Sequence, residues 1–362
     1  MRNVRQDQTL VHTQIIVTDT TANQVGRFIF LTAKRRTVYI HGMNDNTITG
    51  VLLLNLGGPE KIEDVEPFLV NLFSDRQIIR LGPAFLQKFI ARRIARRRAP
   101  KSAESYRLIG GGSPIRRITE QQGAALERLL GKGFLVRSCM RYWHPFADEA
   151  VGEMVAAGCS RLVALPLYPH YSIATSGSSF TDLRQTVRRL APDLPVLEIR
   201  SWPEEPSYIR CLAERILEGI TRFGGDPVQL VYSAHSLPKK FIDEGDPYVD
   251  EIRTTIAAIE NLTGREGILC FQSRSGPVEW LEPSTPDMIT ELAGRGCRNI
   301  LMVPISFVSD HVETLYEIDM QYREMARELG MRLESTPGLN DDPQFIEALG
   351  NLVRQRLETV TP

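Results

Sequence analysis

The sequence contains few cysteines, and no two of them stand close together. The five thiols are spread over 362 residues, and no CxxC pair occurs. This spacing argues against a zinc knuckle and against a disulfide framework, and it is typical of a protein kept in a reducing cytosol. The five residues are Cys139, Cys159, Cys211, Cys270 and Cys297.

The sequence also lacks a large net charge, a long apolar run and a phosphate-binding motif. The formal net charge is −1, so no general electrostatic attraction to nucleic acid is expected. No run of about 18 apolar residues occurs, so the sequence predicts no membrane-spanning helix. The phosphate-binding patterns GxGxxG and GxxxxGK followed by Ser or Thr are also absent. The segments GGPE (57–60) and IGGGSP (109–114) therefore indicate tight turns with close backbone approach, and they do not indicate a dinucleotide site.

Residues 1–48 do not share the pattern of the rest of the chain. They are polar and irregular, and their apolar segments QIIV and FIFL are too short for the core of a signal peptide. Residues 1–42 also lack serine, which argues against a transit peptide. Because Met43 stands just before the ordered pattern, we expect residues 1–48 to be a disordered leader or the product of a mis-assigned start.

From residue 49 onward, short apolar runs alternate with longer amphipathic segments, which predict strands and helices respectively. The predicted strands are 51–56, 162–168, 230–234 and 300–308. The predicted helices include 119–130, 206–220 and 247–262. Strands separated by helices form parallel βαβ units, so the predicted fold class is α/β.

Two pairs of segments resemble each other in the same order along the chain. AAGCSRLVALPLYP (156–169) resembles GRGCRNILMVPISF (294–307), and VLLLNLGGPEK (51–61) resembles LVYSAHSLPKK (230–240). Any two strand–turn segments share some of these features, but the repeated Gly-Cys and the Pro at the strand end favour an internal duplication. We therefore expect two Rossmann-like domains, each with a doubly wound parallel four-stranded sheet, and an active-site cleft between them.

The predicted domain limits follow from this repeat. They are a first half at 49–190 with a lip segment at 72–101, a connection at 191–227, a second half at 228–335, and a C-terminal helix within 336–362 that packs back on the domains.

Ligands of open α/β sheets bind beyond the carboxyl ends of the strands. The binding face should therefore carry residues 55–60, 168–179, 233–239 and 306–317. His235 follows a predicted strand directly, in the segment SAHSLP. A histidine in a loop is more often a surface or capping residue, but this turn is expected to share the binding face with 306–317.

One histidine and four carboxylates follow the apolar run NILMVPISFV (299–308). In a helix that begins after Ser309, Glu313 and Glu317 lie four residues apart on one face. Asp310 and His311 would occupy the first turn, where negative charge suits the helix dipole.

Apolar residues interleave with these acids, so the predicted helix is largely buried, and buried carboxylates need a cation or a metal as a partner. Asp319 falls outside the stripe formed by Glu313 and Glu317. An imidazole with carboxylates and no thiolate pair suits a transient divalent metal such as Fe²⁺ or Zn²⁺. The row of acids would carry metal ions or protons near a deep pocket. The alternative is a solvated acidic helix start.

Residues 80–101 contain eight Lys or Arg residues and no acid. Phe85, Leu86, Phe89 and Ile90 would form an apolar stripe, and a run of arginines follows it. Such a helix can lie on an anionic membrane surface, and its arginines can also bind substrate carboxylates. A solvated basic helix is equally consistent with this composition.

Six segments of the chain together resemble the ferrochelatases, enzymes that insert ferrous iron into protoporphyrin to form protohaem in the last step of haem biosynthesis. The resemblance runs from Thr49 to the C-terminus. It implies a metal chelatase of the lyase class, built from two Rossmann-like domains with a cleft between them. The six segments are LLLNLGGPE, YRLIGGGSP, SAHSLP, GDPY, FQSRSGPVEWLEP and NILMVPISFVSDHVETLYEID.

The resemblance implies roles for the residues that match the family's motifs. His235 would be the pocket histidine that faces the macrocycle, and Glu313 would be the acid on the opposite wall. Both would be catalytic and would bind the metal. The residues implied to form a path for protons or metal are Asp310, His311 and Glu317. The residues implied to contact the substrate are Tyr106, Ser113, Tyr168 and Trp280, together with Arg97 and Arg98 of the lip.

The chain departs from some relatives at two positions. Gln321 stands where the acidic row often continues, so the outer end of the path is neutral here. Some relatives also hold a 2Fe–2S cluster through a mid-chain Cys and a Cys-rich C-terminal tail. The mid-chain position is Ile173 in this chain, and the tail QRLETVTP has no Cys. We therefore predict no cluster and no tightly bound cofactor.

The resemblance also bears on the substrate. Gram-positive relatives act on coproporphyrin and commonly lack the LNLGGPE and LFSDR-like patterns, both of which this chain has at 54–60 and 72–76. We therefore expect protoporphyrin IX and ferrous iron as substrates. The alternatives are a coproporphyrin ferrochelatase, a cobalt or nickel chelatase, and a non-catalytic tetrapyrrole carrier.

The expected location is the cytoplasm, with peripheral association with the cytoplasmic face of the membrane. No nucleic-acid partner is expected, and the protein would be a monomer or a homodimer.

Overall fold

A computed structural model describes residues 47–274 and 276–359 of the chain. The predicted leader at 1–48 lies outside the described residues, apart from its last two positions.

The described residues form two parallel β-sheets of four strands each. The strands are β1 (Ile48–Asn55), β2 (Phe134–Met140), β3 (Cys159–Pro166), β4 (Val196–Glu198), β5 (Gln229–His235), β6 (Gly267–Gln272), β7 (Asn299–Pro304) and β8 (Arg332–Ser335). Their order is β2-β1-β3-β4 in the first sheet and β6-β5-β7-β8 in the second. The predicted α/β class with two Rossmann-like parallel sheets is confirmed.

The central strands of each sheet are apolar because a parallel sheet is covered on both faces. All residues of β1 and β7 except the first of each strand are buried. The segments that resemble each other in sequence contain β1 and β5, which take the second place in their sheets, and β3 and β7, which take the third. The sequence repeat therefore corresponds to equivalent places in two sheets of the same order.

Helices alternate with the strands along the described chain. They are α1 (Val65–Ser74), α2 (Gln87–Leu108), α3 (Ile115–Leu130), α4 (Ala147–Ala156), α5 (Ser178–Leu190), α6 (Pro206–Thr221), α7 (Lys239–Asp243), α8 (Tyr248–Thr263), α9 (Thr285–Gly294), α10 (Arg323–Glu328) and α11 (Pro343–Glu358). The three helices predicted from the amphipathic pattern correspond to α3, α6 and α8.

A π-helix follows the third strand of each sheet. The first spans Ile173–Gly177 and the second spans Glu313–Tyr322, and each leads directly into an α-helix. Such wide turns are rare and are often found at functional sites. The acidic segment predicted as a helix is the second of them.

One continuous apolar core joins the two halves. Val163 of the first sheet and Val303 of the second belong to it, together with side chains of α6, α8 and α11. The helix α11 follows the second sheet in the chain, yet it packs on α3, β3 and β4 of the first half. Residues from the two halves can therefore meet in one site.

Candidate active site

The neighbouring strands β5 and β7 bring a histidine and a glutamate into contact. His235 is the last residue of β5, and Glu313 is the first residue of the second π-helix, which follows β7. Nδ1 of His235 lies 2.7 Å from Oε2 of Glu313. The backbone of His235 is held on both sides: the Tyr248 hydroxyl donates to its carbonyl at 3.0 Å, and its N–H donates to the Ser306 hydroxyl at 3.0 Å.

This contact corrects the prediction that Glu313 lies on the wall opposite His235. Both residues belong to the second sheet, and parallel strands that pair side by side end at the same edge. A distance of 2.7 Å leaves no space for a macrocycle between the two side chains. The two residues therefore form one face, and a bound substrate would lie beside them.

Ser273 joins a second carboxylate to this pair. Its hydroxyl, just beyond the end of β6, lies 2.8 Å from Oε2 of Glu313 and 2.6 Å from Oε2 of Glu317. A hydroxyl has one hydrogen, so it can donate to only one of the two carboxylates at a time. The other contact is a hydrogen bond only when that carboxyl group itself carries a proton. Gln272 donates to the same oxygen of Glu317 at 3.2 Å.

Burial and charge separate the proton affinities of these three groups. Burial alone would lower the pKa of His235, but the Glu313 carboxylate outweighs it and raises that pKa. Burial would raise the pKa of Glu313, but the charge and hydrogen bond of His235 hold it well below its usual range. Burial, and then the negative charge of Glu313, raise the pKa of Glu317 to about 7. The site therefore favours a His235–Glu313 ion pair, and Glu317 can exchange a proton near neutral pH.

His311 lies near the pair. Its ring packs edge-on against Phe307 with 4.5 Å between the centroids, and the Phe307 ring lies 6.4 Å from that of His235. Nδ1 of His311 is 3.0 Å from the carbonyl oxygen of Ser309. Because a carbonyl only accepts, Nδ1 carries the hydrogen and Nε2 is left as an acceptor. Burial lowers the pKa of His311, which favours the neutral ring.

The prediction that Asp310 and His311 occupy the first turn of the helix is wrong. The carbonyl of His311 accepts hydrogen bonds from the backbone N–H groups of Thr314 and Leu315, so the helical hydrogen bonds begin at this residue. Asp310 precedes it and faces Asn340, whose side-chain amide donates to the Asp310 carboxylate at 2.7 Å.

Two of the predicted acids lie away from the pair. As predicted, Asp319 falls outside the stripe of Glu313 and Glu317, and it pairs with Arg323 at 3.3 Å. Asp310 and Asp319 both line a separate cavity of about 310 Å³. The acids between Asp310 and Glu317 therefore do not form one continuous row.

Three of the residues expected to contact a porphyrin have a buried hydroxyl or N–H group. Tyr106 on α2 is buried, which raises its pKa, and the charge of Glu313 raises it further because the two residues are close. The Tyr168 hydroxyl beyond β3 is buried near the Ser179 hydroxyl, but it forms no hydrogen bond of normal geometry with any described residue. The Trp280 indole N–H is buried with no hydrogen-bond partner among the described residues, and the backbone of Trp280 pairs with Pro238. Unpaired polar groups of this kind are rare in a folded protein and are available to a ligand.

The two glycine-rich turns, at 57–60 and 109–114, contact each other at Ser113. Ser113 is the fourth residue expected to contact a porphyrin. Its N–H donates to the carbonyl of Pro59 at 2.7 Å. A Cβ atom on Gly58 would lie 2.7 Å from Cβ of Ser113, and one on Gly112 would lie 2.1 Å from the carbonyl oxygen of Glu60. The interpretation of both segments as turns with close backbone approach is confirmed.

Most of the basic segment 80–101 lies in α2, preceded by a single 3₁₀ turn at Ala84–Leu86. Phe85 is 84% exposed and Phe89 is 64% exposed. Arg97 and Arg98 are exposed as well, and the guanidinium of Arg98 lies 5.5 Å from the ring centroid of Phe73. Within residues 47–274 and 276–359, every helix is too short or too polar to cross a membrane.

Sequence reasoning missed several residues that the structure places at strand ends. Gln272 and Ser273 stand in the motif FQSRSGPVEWLEP, but the short apolar run ILCF (268–271) before them was not interpreted as a strand. At the equivalent end of β2, Arg141 pairs with the buried Asp75 at 2.7 Å, and Ser178 donates to the same carboxylate at 2.6 Å. This group borders a cavity of about 460 Å³. The rule that identified His235, a polar residue directly after a strand, would have found Arg141 had β2 been predicted.

No group of three or more His, Cys, Asp or Glu side chains in the described part of the chain is arranged to hold a metal ion. The His235–Glu313 pair offers one imidazole nitrogen and the carboxylate oxygens, donors that suit Fe²⁺ or Zn²⁺. An ion bound there would need further ligands from elsewhere to complete its coordination.

Comparison with known proteins gives the class and the family. Residues 48–357 match the family model described as ferrochelatase. A ferrochelatase of Desulfotalea psychrophila is 57% identical over 310 residues, which cover 85% of this chain and 97% of the relative. A ferrochelatase of Geotalea uraniireducens is 52% identical over 314 residues, which cover 86% and 98%.

Among solved structures, SirB from Bacillus subtilis with Fe³⁺ is 12% identical and has a TM-score of 0.49, with 86% of this chain and 96% of that chain covered. The sequence matches define an α/β enzyme of the metal-chelatase class. The chain belongs to the ferrochelatase family.

Proposed function

We propose that this protein inserts ferrous iron into protoporphyrin IX to form protohaem. The observation that carries the proposal is the contact of His235 with Glu313 at the shared carboxyl edge of β5 and β7, with Glu317 linked to it through Ser273. Family membership supports the class of reaction, and this cluster supports the assignment of the catalytic residues.

The reaction releases two protons, because the porphyrin loses two pyrrole N–H hydrogens as one Fe²⁺ enters. In this proposal the His235 imidazolium of the ion pair first gives up its proton as Fe²⁺ arrives, and the neutral ring then accepts a pyrrole proton, with Glu313 stabilising the imidazolium that forms again. Glu317 takes up a proton through Ser273 and releases it again, which a carboxyl group with a pKa of about 7 can do at neutral pH. Fe²⁺ competes with protons for the donor atoms of the pair, so metal binding itself promotes their release.

The preference for protoporphyrin over coproporphyrin is also a proposal. Protoporphyrin carries vinyl groups where coproporphyrin carries further propionates, so it is the less polar molecule. The exposed aromatic rings of Phe85 and Phe89 at the start of the lip suit the less polar substrate. The LNLGGPE and LFSDR patterns support the same choice.

The test is anaerobic incubation of the full chain with Fe²⁺ and a tetrapyrrole, followed by the shift of the Soret band. We expect haem from protoporphyrin IX, a slower reaction with coproporphyrin, and none with sirohydrochlorin. A faster reaction with coproporphyrin would reassign the substrate. Tight binding of protoporphyrin without any metal insertion would instead identify a carrier.

We further propose that the enzyme works without an iron–sulfur cluster. Ile173, at the start of the first π-helix, supplies no thiolate at the position where some relatives have Cys. Four of the five cysteines are buried, and Cys297 is half-buried. Iron and acid-labile sulfide assays on the purified protein should find neither, and stoichiometric sulfide would contradict this proposal.

A further inference from the structure

The segment between β7 and the second π-helix carries Asp310 and His311, and it is neither helix nor strand. Backbone groups outside regular structure need partners elsewhere if they are to be held in one conformation. Asn340 provides such partners here, and Gln122 binds both the Ser309 hydroxyl of the segment and the carbonyl of Asn340.

Asn340 holds this segment from one side. Its side-chain oxygen accepts the backbone N–H of Asp310 at 2.9 Å, its amide donates to the Asp310 carboxylate at 2.7 Å, and its backbone N–H donates to the carbonyl of Val308 at 2.8 Å. A Cβ atom on Gly338 would lie 2.7 Å from Oδ1 of Asp310, so the two chains are in close contact. Asn340 has a φ of +46°, a left-handed conformation that Asn adopts more readily than most residues.

Gln122 connects this arrangement to the first half. It is fully buried on α3, and its amide nitrogen donates to the carbonyl of Asn340 at 2.7 Å and to the hydroxyl of Ser309 at 3.0 Å. Its oxygen, by contrast, is buried with no hydrogen-bond partner among the described residues, which is unfavourable. Both donors of the amide are used while its acceptor is not, so the function of this side chain lies in its two N–H groups.

Ser309 connects Gln122 to the active site. Its carbonyl accepts the Nδ1–H of His311, so the position of Ser309 sets the orientation and the tautomer of that ring. We propose that Gln122 is a positioning residue for catalysis. Through Ser309 and Asn340 it orients His311 and fixes the start of the helix that carries Glu313. The inference rests on the proposed function, because haem formation is what this positioning serves.

Gln122→Met tests the proposal, since it removes both donors with a side chain of similar length and buries no charge. We expect kcat for haem formation to fall by about tenfold or more, with KM for protoporphyrin changed less than about twofold, because misplaced groups slow the chemical step while substrate contacts remain. Backbone amides of residues 309–314 should exchange faster with solvent. In ¹⁵N-histidine NMR spectra, His311 should populate both neutral tautomers in the variant and one in the wild type.

Two further variants keep the test interpretable. Gln121→Met changes the exposed neighbour on the same helix, whose oxygen accepts from Arg117, and it should leave every readout unchanged. Ser309→Ala removes one acceptor of Gln122 but keeps the carbonyl that binds His311, so it should show a smaller fall in kcat.

Wild-type kcat and wild-type exchange in Gln122→Met would overturn the proposal, as would equal effects of Gln121→Met. The exchange and NMR measurements need no substrate. If the wild-type enzyme formed no haem, the proposed function would fail, and these two readouts would still decide whether Gln122 positions His311.

Discussion

At the scale of single residues, the same histidine–glutamate contact occurs twice in different surroundings. Nδ1 of His144 lies 2.8 Å from Oε2 of Glu149, nearly the same geometry as that of His235 and Glu313. The side chains of the first pair are 50% and 47% exposed, whereas those of His235 and Glu313 are 37% and 17% exposed. Water weakens the attraction between exposed charges, so the first pair perturbs its surroundings little. Burial is what makes the second pair a candidate for proton chemistry.

His235→Ala should abolish most haem formation and leave the fold intact. A general base typically contributes about 100-fold or more, so we expect at least that loss of rate. His144→Ala is the matched control, because it removes an imidazole from a similar pair on the surface, and it should keep the wild-type rate. Circular dichroism melts would verify that both variants fold. Normal turnover by the His235 variant would remove this residue from the mechanism.

Glu317→Gln should make the protein more stable at alkaline pH. The folded-state pKa of Glu317 is raised from 4.5 to about 7, so the folded protein binds this proton more tightly than the unfolded chain does. The resulting stability is complete below about pH 4.5 and is lost as the pH rises through 7, which amounts to on the order of 3 kcal/mol. Gln cannot titrate, so the variant should gain free energy of unfolding relative to wild type from about pH 5 to about pH 8.

Urea denaturation at several pH values would measure this gain, with Glu328→Gln as the exposed control. A difference between Glu317→Gln and wild type that does not depend on pH would show that Glu317 does not hold a proton in the folded protein.

At the scale of elements, α2 and the 3₁₀ turn before it expose aromatic rings and arginines on one segment. Charges near an anionic lipid surface contribute about 1 kcal/mol each and are screened by salt, whereas buried rings contribute a term that salt changes little. The two parts of this segment can therefore be separated by ionic strength. Peripheral membrane association remains a proposal that rests on Phe85, Phe89, Arg96 and Arg97.

Replacing Arg96 and Arg97 by Ser should weaken binding to vesicles that contain phosphatidylglycerol by about tenfold or more at low salt, and by much less at high salt. Arg98 is left in place because it packs on Phe73. Co-sedimentation with vesicles, with and without the anionic lipid, measures the effect.

The matched control replaces two exposed arginines elsewhere, Arg128 and Arg188, and alters net charge equally. Phe85→Ser with Phe89→Ser should reduce binding at every salt concentration. Equal binding by the Arg96 and Arg97 variant and wild type would identify the segment as a solvated basic helix.

The local sequence pattern was sufficient to predict some strands and helices and insufficient to predict others. It predicted β1, β3, β5 and β7, which are central strands buried on both faces and therefore read as continuous apolar runs. It missed β2, β4, β6 and β8, the edge strands, each of which contains several residues that are only partly buried or exposed. It predicted a helix after Ser309, but periodicity alone cannot distinguish the π-helix at Glu313–Tyr322 from an α-helix.

At the scale of the whole molecule, one carboxylate joins the two halves near the site. Asp246 accepts the hydroxyl of Ser172 at 2.9 Å and the backbone N–H of Ile173 at 2.8 Å, both from the first half. Its other oxygen accepts the backbone N–H of Tyr248 at 3.1 Å, and the Tyr248 hydroxyl binds the carbonyl of His235. The start of the first π-helix is thereby connected to the strand that ends in the catalytic histidine.

Asp246→Ala should lower the free energy of unfolding by about 1–3 kcal/mol, because three N–H or O–H donors lose their acceptor. Asp250→Ala, which removes an exposed acid on the following helix α8, should cost much less. Guanidinium denaturation of the two variants measures the difference. Equal stability of the two would mean that this junction contributes nothing to the folded state.

The contacts that complete the site were beyond sequence reasoning. His235 and Glu313 could be identified because each follows a strand within a recognisable motif. Gln122 and Ser309 are 187 positions apart, and no local pattern indicates that a buried amide of one half binds a loop of the other. The opposite-wall placement of Glu313 was implied by the family resemblance, and the pairing of β5 with β7, which no local pattern shows, corrects it.

The position of α11 has a consequence for how this chain folds during synthesis. Its side chains complete the apolar core around α3, β3 and β4, although residues 343–358 leave the ribosome after both sheets have been made. Until then, the apolar surface that α11 covers is open to water, where it can attract a chaperone or another nascent chain. The first half of the chain is translated first, yet its apolar core cannot be completed until α11 has been made.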